Sequence, residues 1–356
     1  MTFLDFFSGI GGFRRGLELC GMVCKGHCEI DQYADRSYRA IFNVKEDEWF
    51  EPDITKVEPT GLPRADLWAG GFPCQDISSA GQGRGLAGER SSLFFEMVRL
   101  LAGTPTQARP NWLVFENVRN LLSIHKGWDF AALLHSLAEI GYHIEYGLLN
   151  SKFHGVPQNR ERVYLVAYRH FRAGSGRTVF PIPAGEGKPL IQILGGEQGQ
   201  RIYSPGGVSC TLMGRSGGAS GKTGLYCVQG VHSGGKTYGC RPVLSPDRVK
   251  TRQNGRRMKG CGEPAFCLTV VDRHGVYFMP CEACQAKLPM GRIRRLTPRE
   301  CWRLQGFTDE MYEKAAAVSS ESQLYKQAGN SVTIPVAAAV GRRIVEIQEE
   351  LDKEVP

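Results

Sequence analysis

The chain of 356 residues has no apolar run approaching the ~18 residues that cross a bilayer, so no membrane-spanning helix is read from it. It lacks a charged-then-apolar leader as well. The first residues, MTFLDFFSG, enter a strand-like run directly, which argues against export. Paired metal-ligand spacing is also missing. One C-x-x-C ends the group Cys261, Cys267, Cys281 and Cys284, but a structural zinc site wants two well-spaced pairs, and the metal-free reading is preferred. Cys20, Cys24 and Cys28 recur every fourth residue, yet Gly21 and Gly26 interrupt any helix there, so packing explains them better. Twelve cysteines without an export signal read as the reduced thiols of a cytoplasmic protein.

Acidic residues are scarce in one region. Residues 171–310 hold 9 Asp/Glu against 21 Lys/Arg, whereas the rest of the chain is slightly acidic and the whole carries +8. Localised positive charge is what a polyanion-binding module needs, because neutralising phosphates releases counterions. A well-solvated basic surface satisfies the same numbers. Helical periodicity is absent from 171–290, which is rich in Gly, Ser and Pro, so a small β-rich domain or a set of long loops fits there. SCTLMGRSGG and FCLTVVDRHG form a modest internal echo within it.

The first 170 residues have the opposite texture. TFLDFF, MVCKGHCEI, DLWAG, NWLVFEN, YHIEYGLLN and RVYLVAYR read as strands, separated by helical stretches such as SSLFFEMVRLLAG and WDFAALLHSLAEIG. Alternation of this kind predicts an α/β fold with a mostly parallel sheet. The final SVTIPVAAAVGRRIVEIQEEL predicts a helix whose apolar part returns to the first domain. The expected division is therefore 1–170 plus 311–356 as one domain and 171–310 as a second, inserted one.

Four segments carry chemistry. DFFSGIGGFRRG places a glycine loop between strand and helix, where backbone N–H groups can approach a ligand. Glu29 and Asp31 end the second strand, where an acid can accept hydrogen bonds from ribose hydroxyls, and Asp53 follows another loop. In GGFPCQDIS, Cys74 follows Pro73 on a glycine-led turn and looks presented rather than packed. Glu116 ends the apolar strand WLVFEN, where burial would let it hold a proton, and Arg160 and Arg162 precede VYLVAY. A cysteine nucleophile, a protonated glutamate and a carbonyl-binding arginine suit addition to a conjugated ring such as cytosine.

DFFSGIGGFR, EID, PDIT, GGFPCQDIS, FENVRNLL, QNRERVYLV, RRLTPRECWRLQGF and QAGNSVTIPV resemble, in order, the motif series of the DNA (cytosine-5) methyltransferases, which use S-adenosylmethionine. The resemblance spans 1–170 and 292–341 and implies a Rossmann-like catalytic domain. It implies Cys74 as the nucleophile, Glu116 as the partner of cytosine N3, and Arg162 as the carbonyl contact with Arg160 in support. Phe7 and Ile30 would pack on the adenine, Glu29 would bind the ribose and Asp53 would read the adenine. Asp5, Gly9, Gly11 and Gly12 would line the methionine end, with Asn330 and Ser331 as late cofactor contacts. Gln75 would support the nucleophile's loop. The segment after it, with Arg84 and Arg90, would close over double-stranded DNA. Region 171–310 would be the target-recognition domain, with Thr211, Arg215, Arg256 and Arg273 as DNA-contact candidates. The compact form implies a prokaryotic or phage enzyme, nucleoid-associated in the cytoplasm, acting as a monomer beside any cognate restriction endonuclease.

Three rivals remain at this point. A tRNA-methylating branch would keep the chemistry and change the polymer. A nicotinamide oxidoreductase would use the glycine loop but leaves Cys74, Glu116 and the arginines unexplained. An inactive DNA-binding module would keep the fold alone, although no motif is visibly broken.

Overall fold

The computed structural model describes residues 1–73, 93–169, 177–185, 208–212 and 296–354, and the backbone of six short strands between residues 192 and 294. Among the described residues the largest sheet has seven strands: β1 (Thr2–Phe6), β2 (Val23–Cys28), β3 (Trp49–Glu51), β4 (Leu67–Gly70), β5 (Trp112–Val118), β6 (His143–Asn150) and β7 (Glu161–Tyr168). Their order is β3-β2-β1-β4-β5-β7-β6. Strands β1 to β5 pair in parallel, and β7 runs antiparallel between β5 and β6.

Burial explains why these segments form strands. In β1 every residue after Thr2 is buried, as a central parallel strand covered on both faces requires. One face carries Leu4, Phe6, Trp68 and Phe115 beneath helices α3 (Leu93–Gly103) and α4 (Trp128–Glu139). The other carries Phe3, Trp112, Val114 and Tyr164 beneath α1 (Gly12–Glu18) and α8 (Ile334–Glu354), so the last helix does return to the first domain. Helix α2 (Gln32–Phe42) begins at Asp31, whose side chain accepts the N–H groups of Tyr33 and Ala34. The strand β3 was not apparent in the sequence, because three residues carry no readable alternation.

The chain divides into two compact units: 1–188, 209–214 and 297–356 in one, 189–208 and 215–296 in the other. The first unit therefore extends past the boundaries expected at 170 and 311. The reason is packing. Helix α5 (Pro298–Leu304) starts on a capping box of Thr297 and Glu300, and its Trp302 is fully buried, with Nε1 donating to the Leu324 carbonyl in α7 (Glu321–Asn330). Helix α6 (Asp309–Ala316) packs on α2 in the same unit.

The second unit contains a four-stranded sheet and a separate antiparallel pair, Tyr238–Leu244 with His274–Pro280. No helix occurs among its described residues. Its sequence holds 16 Lys/Arg and 5 Asp/Glu. Of the internal echo, Ser209–Leu212 belongs to the first unit, and 266–273 lies outside the described residues.

Candidate active site at the carboxyl edge of the sheet

In an open α/β sheet, ligands bind beyond the carboxyl ends of the strands, where the strand order reverses. Here that point lies between β1 and β4. The glycine loop leaves β1, Glu29 leaves β2, Asp53 follows β3, Gly71–Pro73 follows β4 and Glu116 lies near the end of β5. Because β7 is antiparallel, its first residues reach the same edge: Arg162 pairs in register with Val118.

The loop after β1 is built for close approach. Gly9 has φ +55, and a Cβ there would meet nothing within 4 Å. A Cβ on Gly12, by contrast, would lie 2.4 Å from the Val332 carbonyl oxygen and 2.9 Å from Ser331 Oγ, so the loop seats directly on the late motif. Gly12→Ala is expected to lower Tm by several degrees and weaken cofactor binding at least tenfold, since overpacking costs ~1–3 kcal/mol. Thermal melts and cofactor titration would check this, and an unchanged protein would contradict the seating.

Phe7 takes φ 51, a left-handed conformation strained for an aromatic residue, at the end of β1. Glu29 is engaged within the chain. Its two carboxylate oxygens accept the Gly9 and Asp31 N–H groups, each at 2.7 Å, and so staple the glycine loop to β2. Burial pushes its carboxyl up against those two hydrogen bonds. A lone pair remains on each oxygen for a further donor. Ile30, 73 % exposed, stands out at the end of β2 as an apolar surface for a flat ligand. Asp53 accepts from the Thr55 N–H and hydroxyl, which hold it below the usual carboxylate range.

Both oxygens of Asp5 and the Ser8 hydroxyl are buried without a hydrogen-bond partner among the described residues. Burial raises the Asp5 carboxyl well above the usual range, with Arg14 opposing. Orphaned polar atoms under an open glycine loop fit a ligand that brings its own polar groups. Ser331 is buried against Gly12, while Asn330 is exposed beside it.

Glu116 and Arg162 meet at 3.0 Å, with only 12 % and 15 % of their side chains exposed. The turn that leads to Cys74 is beside them. A Cβ on Gly71 would lie 3.4 Å from Glu116 Oε2, and Asn117 Nδ2 donates to the Phe72 carbonyl at 3.4 Å. Asn117 was not singled out in the sequence; a buried amide in an apolar strand was the available signal. Cys74, Gln75, Arg84 and Arg90 lie outside the described residues, as do Arg215, Arg256, Arg273 and the Cys261–Cys284 group. Cys24 and Cys28 are buried and Cys20 donates to the Ala338 carbonyl, as packing predicts.

Arg160 and Arg162 have different partners. The Arg160 guanidinium is buried and donates to the carbonyls of Leu212, Gly329 and Ser331, away from Glu116. It precedes β7, whereas Arg162 lies within that strand. Gln158, also missed, donates to the Leu304 carbonyl and accepts the Leu212 N–H, and Thr211 Oγ1 donates to the Asn159 carbonyl at 2.7 Å. Residues 158–160 thus clamp three distant segments around the start of β7.

The model of the C-5 cytosine-specific DNA methylase family matches residues 1–196 and 211–346. The chain belongs to that family. It is a methyltransferase of the cytosine-5 class. The orphan methyltransferase M.SPRI of Bacillus phage SPR is 33% identical, with 96% of this chain and 97% of the relative covered. The type II methyltransferase M.HhaI of Haemophilus parahaemolyticus is 28% identical, covering 97% and 94%. In fold, the methyltransferase also matches the Entamoeba histolytica methyltransferase EhMeth, at a TM-score of 0.66 and 16% identity over 98% of both chains. The S. pombe Dnmt2 methyltransferase matches at 0.62 and 17% over 99% of both. No helix among the described residues is long and apolar enough to cross a membrane.

Proposed function

We propose that this methyltransferase moves a methyl group from S-adenosylmethionine to C5 of a cytosine extruded from a specific short sequence in duplex DNA. The observation that supports it best is the meeting of Glu116, Arg162 and the Gly71–Pro73 turn at one sheet edge. Bound S-adenosylmethionine supplies an electrophilic methyl on a sulfonium. Gly9, Gly12, Glu29, Ile30 and Ser331 would hold it.

Cys74 adds as thiolate to C6, and the C6 bond electrons move into the ring. Glu116, protonated once the base is bound, donates a hydrogen bond from its carboxyl to N3 and stabilises the negative charge that develops there. Arg162 holds Glu116 in place and reaches for the cytosine carbonyl. C5, now electron-rich, takes the methyl as the S–CH3 bond breaks, and the sulfur would keep the bonding pair and leave as the neutral thioether S-adenosylhomocysteine. A base removes the C5 proton, those electrons re-form the C5–C6 double bond, and Cys74 leaves as thiolate. C5 and C6 are inaccessible within a base stack, so the nucleotide must leave the duplex. Arg160 is assigned a positioning role, and Asp53, Phe7 and Asn330 remain cofactor contacts in this reading.

The second unit, with its basic excess, is assigned to target recognition with Arg215, Arg256 and Arg273 as its DNA-contact candidates, and Arg84, Arg90 and Thr211 remain DNA-contact candidates of the first unit. DNA affinity should fall by about a thousandfold or more between 50 and 200 mM salt if ~6–10 phosphates are neutralised. A flat response would remove the basic unit from DNA binding. We take the chain to act as a monomer in the cytoplasm, any cognate restriction endonuclease being a separate protein. Transfer of labelled methyl to duplex DNA and to tRNA in parallel tests the substrate: label on the duplex alone is expected, and label on tRNA alone would overturn it.

A further inference from the structure

Beyond the catalytic strand β5, the chain makes the turn Arg119–Leu122 and then the turn Ile124–Gly127 before entering α4. In the second turn His125 and Lys126 take φ 46 and 60, both left-handed, and Gly127 follows at 87. Two non-glycine residues in succession there are uncommon and strained, and the surroundings must hold them. They do: Ile124 is buried in the core, the Lys126 N–H donates to the Ser123 carbonyl at 3.1 Å, and His125 Nδ1 meets Asp129 Oδ2 at 3.0 Å.

The turn leaves Lys126 exposed and Trp128 74 % exposed. Trp68, Trp112 and Trp302 are at most 2 % exposed and Trp49 is partly buried, so Trp128 is the most exposed of the five tryptophans. Its place is the carboxyl edge of the sheet, close in sequence to Glu116 and Val118. At the same edge, just after the end of β6, Lys152 Nζ lies 4.8 Å from the Phe153 ring. Nearby acids are already engaged: Glu161 by Arg119, and Asp129 by His125. Lys126 and Lys152 have no ion pair among the described residues.

We propose that this rim is a DNA-contact surface of the first unit, distinct from the basic second unit. Lys126 and Lys152 meet backbone phosphates, and the Trp128 and Phe153 rings lie against deoxyribose or a base face beside the extruded nucleotide. Interleaved cations and exposed rings are the chemistry of nucleic-acid surfaces. A second copy of this chain would bring the same uncompensated lysines to the rim, which repels it. The inference rests on the reading that DNA is the substrate.

The test uses the intact protein and a methylatable duplex, with methyl transfer measured in the same samples. DNA should quench the exposed tryptophan emission and shield it from acrylamide, and W128F should lose both effects. The double variant K126A/K152A should bind DNA ~10-fold or more weakly at 150 mM salt, and its log–log salt slope should shrink by about 2, near one for each phosphate that is no longer neutralised. If the wild type methylates DNA but W128F keeps the quenching and the double variant keeps affinity and slope, this surface is wrong and the substrate reading stands. Quenching that follows protein concentration without DNA would assign the rim to self-association and overturn it. A wild type that neither binds nor methylates DNA would sink both.

Discussion

Replacing Cys74 by serine is expected to abolish methyl transfer, by several orders of magnitude in kcat, while DNA affinity stays within a few-fold. Removal of a covalent nucleophile has losses of that size. A thiolate is a soft nucleophile suited to a conjugated carbon, and a serine hydroxyl offers no equivalent. What surrounds the position should survive the change. Phe72 is buried, its carbonyl accepts from Asn117, and Gly71 lies against Glu116, all independent of the sulfur. A duplex carrying 5-fluorocytosine separates the outcomes, because fluorine at C5 blocks the final elimination. The wild type should form a covalent adduct that survives denaturation, and Cys74→Ser should form none. An adduct in the serine variant, or turnover near the wild-type rate, would remove Cys74 from the mechanism.

Glu116→Gln is expected to lower kcat by ~10²–10⁴ with little change in cofactor affinity, the range for loss of a positioned acid. The amide has nearly the same shape but cannot pass a proton to N3. It also loses the ion pair with Arg162 at 3.0 Å, and only its oxygen can face that guanidinium. Glu116 lies between β4 and β7, whereas the glycine loop and Glu29 hold the opposite end of the site. Single-turnover rates beside cofactor titrations would check this. Unchanged rates would leave Glu116 a structural partner of Arg162.

The residues that were legible in the sequence share a property: they sit where a strand ends. An apolar run that stops at a glycine or an acid marks the carboxyl edge, and Glu29, Glu116 and Gly71–Pro73 all follow that rule. Arg162 was legible for a different reason, its place just before an apolar strand, but the antiparallel direction of β7 that brings it to Glu116 was not. Strand direction depends on connections through space rather than on periodicity. The role of Arg160 was hidden for the same reason, since its carbonyl partners at Leu212, Gly329 and Ser331 are far apart in the chain. Trp302 shows the limit of composition in placing a domain boundary. It lies in a basic stretch, yet it is buried against α7 and belongs to the first unit. Glu29 was legible as an acid at a strand end, but its hold on the Gly9 N–H needs the fold to bring two strand ends together.

Methylation of C5 of cytosine in DNA by this chain can be read at single-base resolution. Single-base mapping of 5-methylcytosine in DNA from cells expressing the intact protein, beside a Cys74→Ala control, tests it most directly. The account predicts methylated cytosine in one short sequence context in the wild type and none in the control. Folded wild-type protein that leaves the DNA unmethylated, or equal methylation in both, would contradict it.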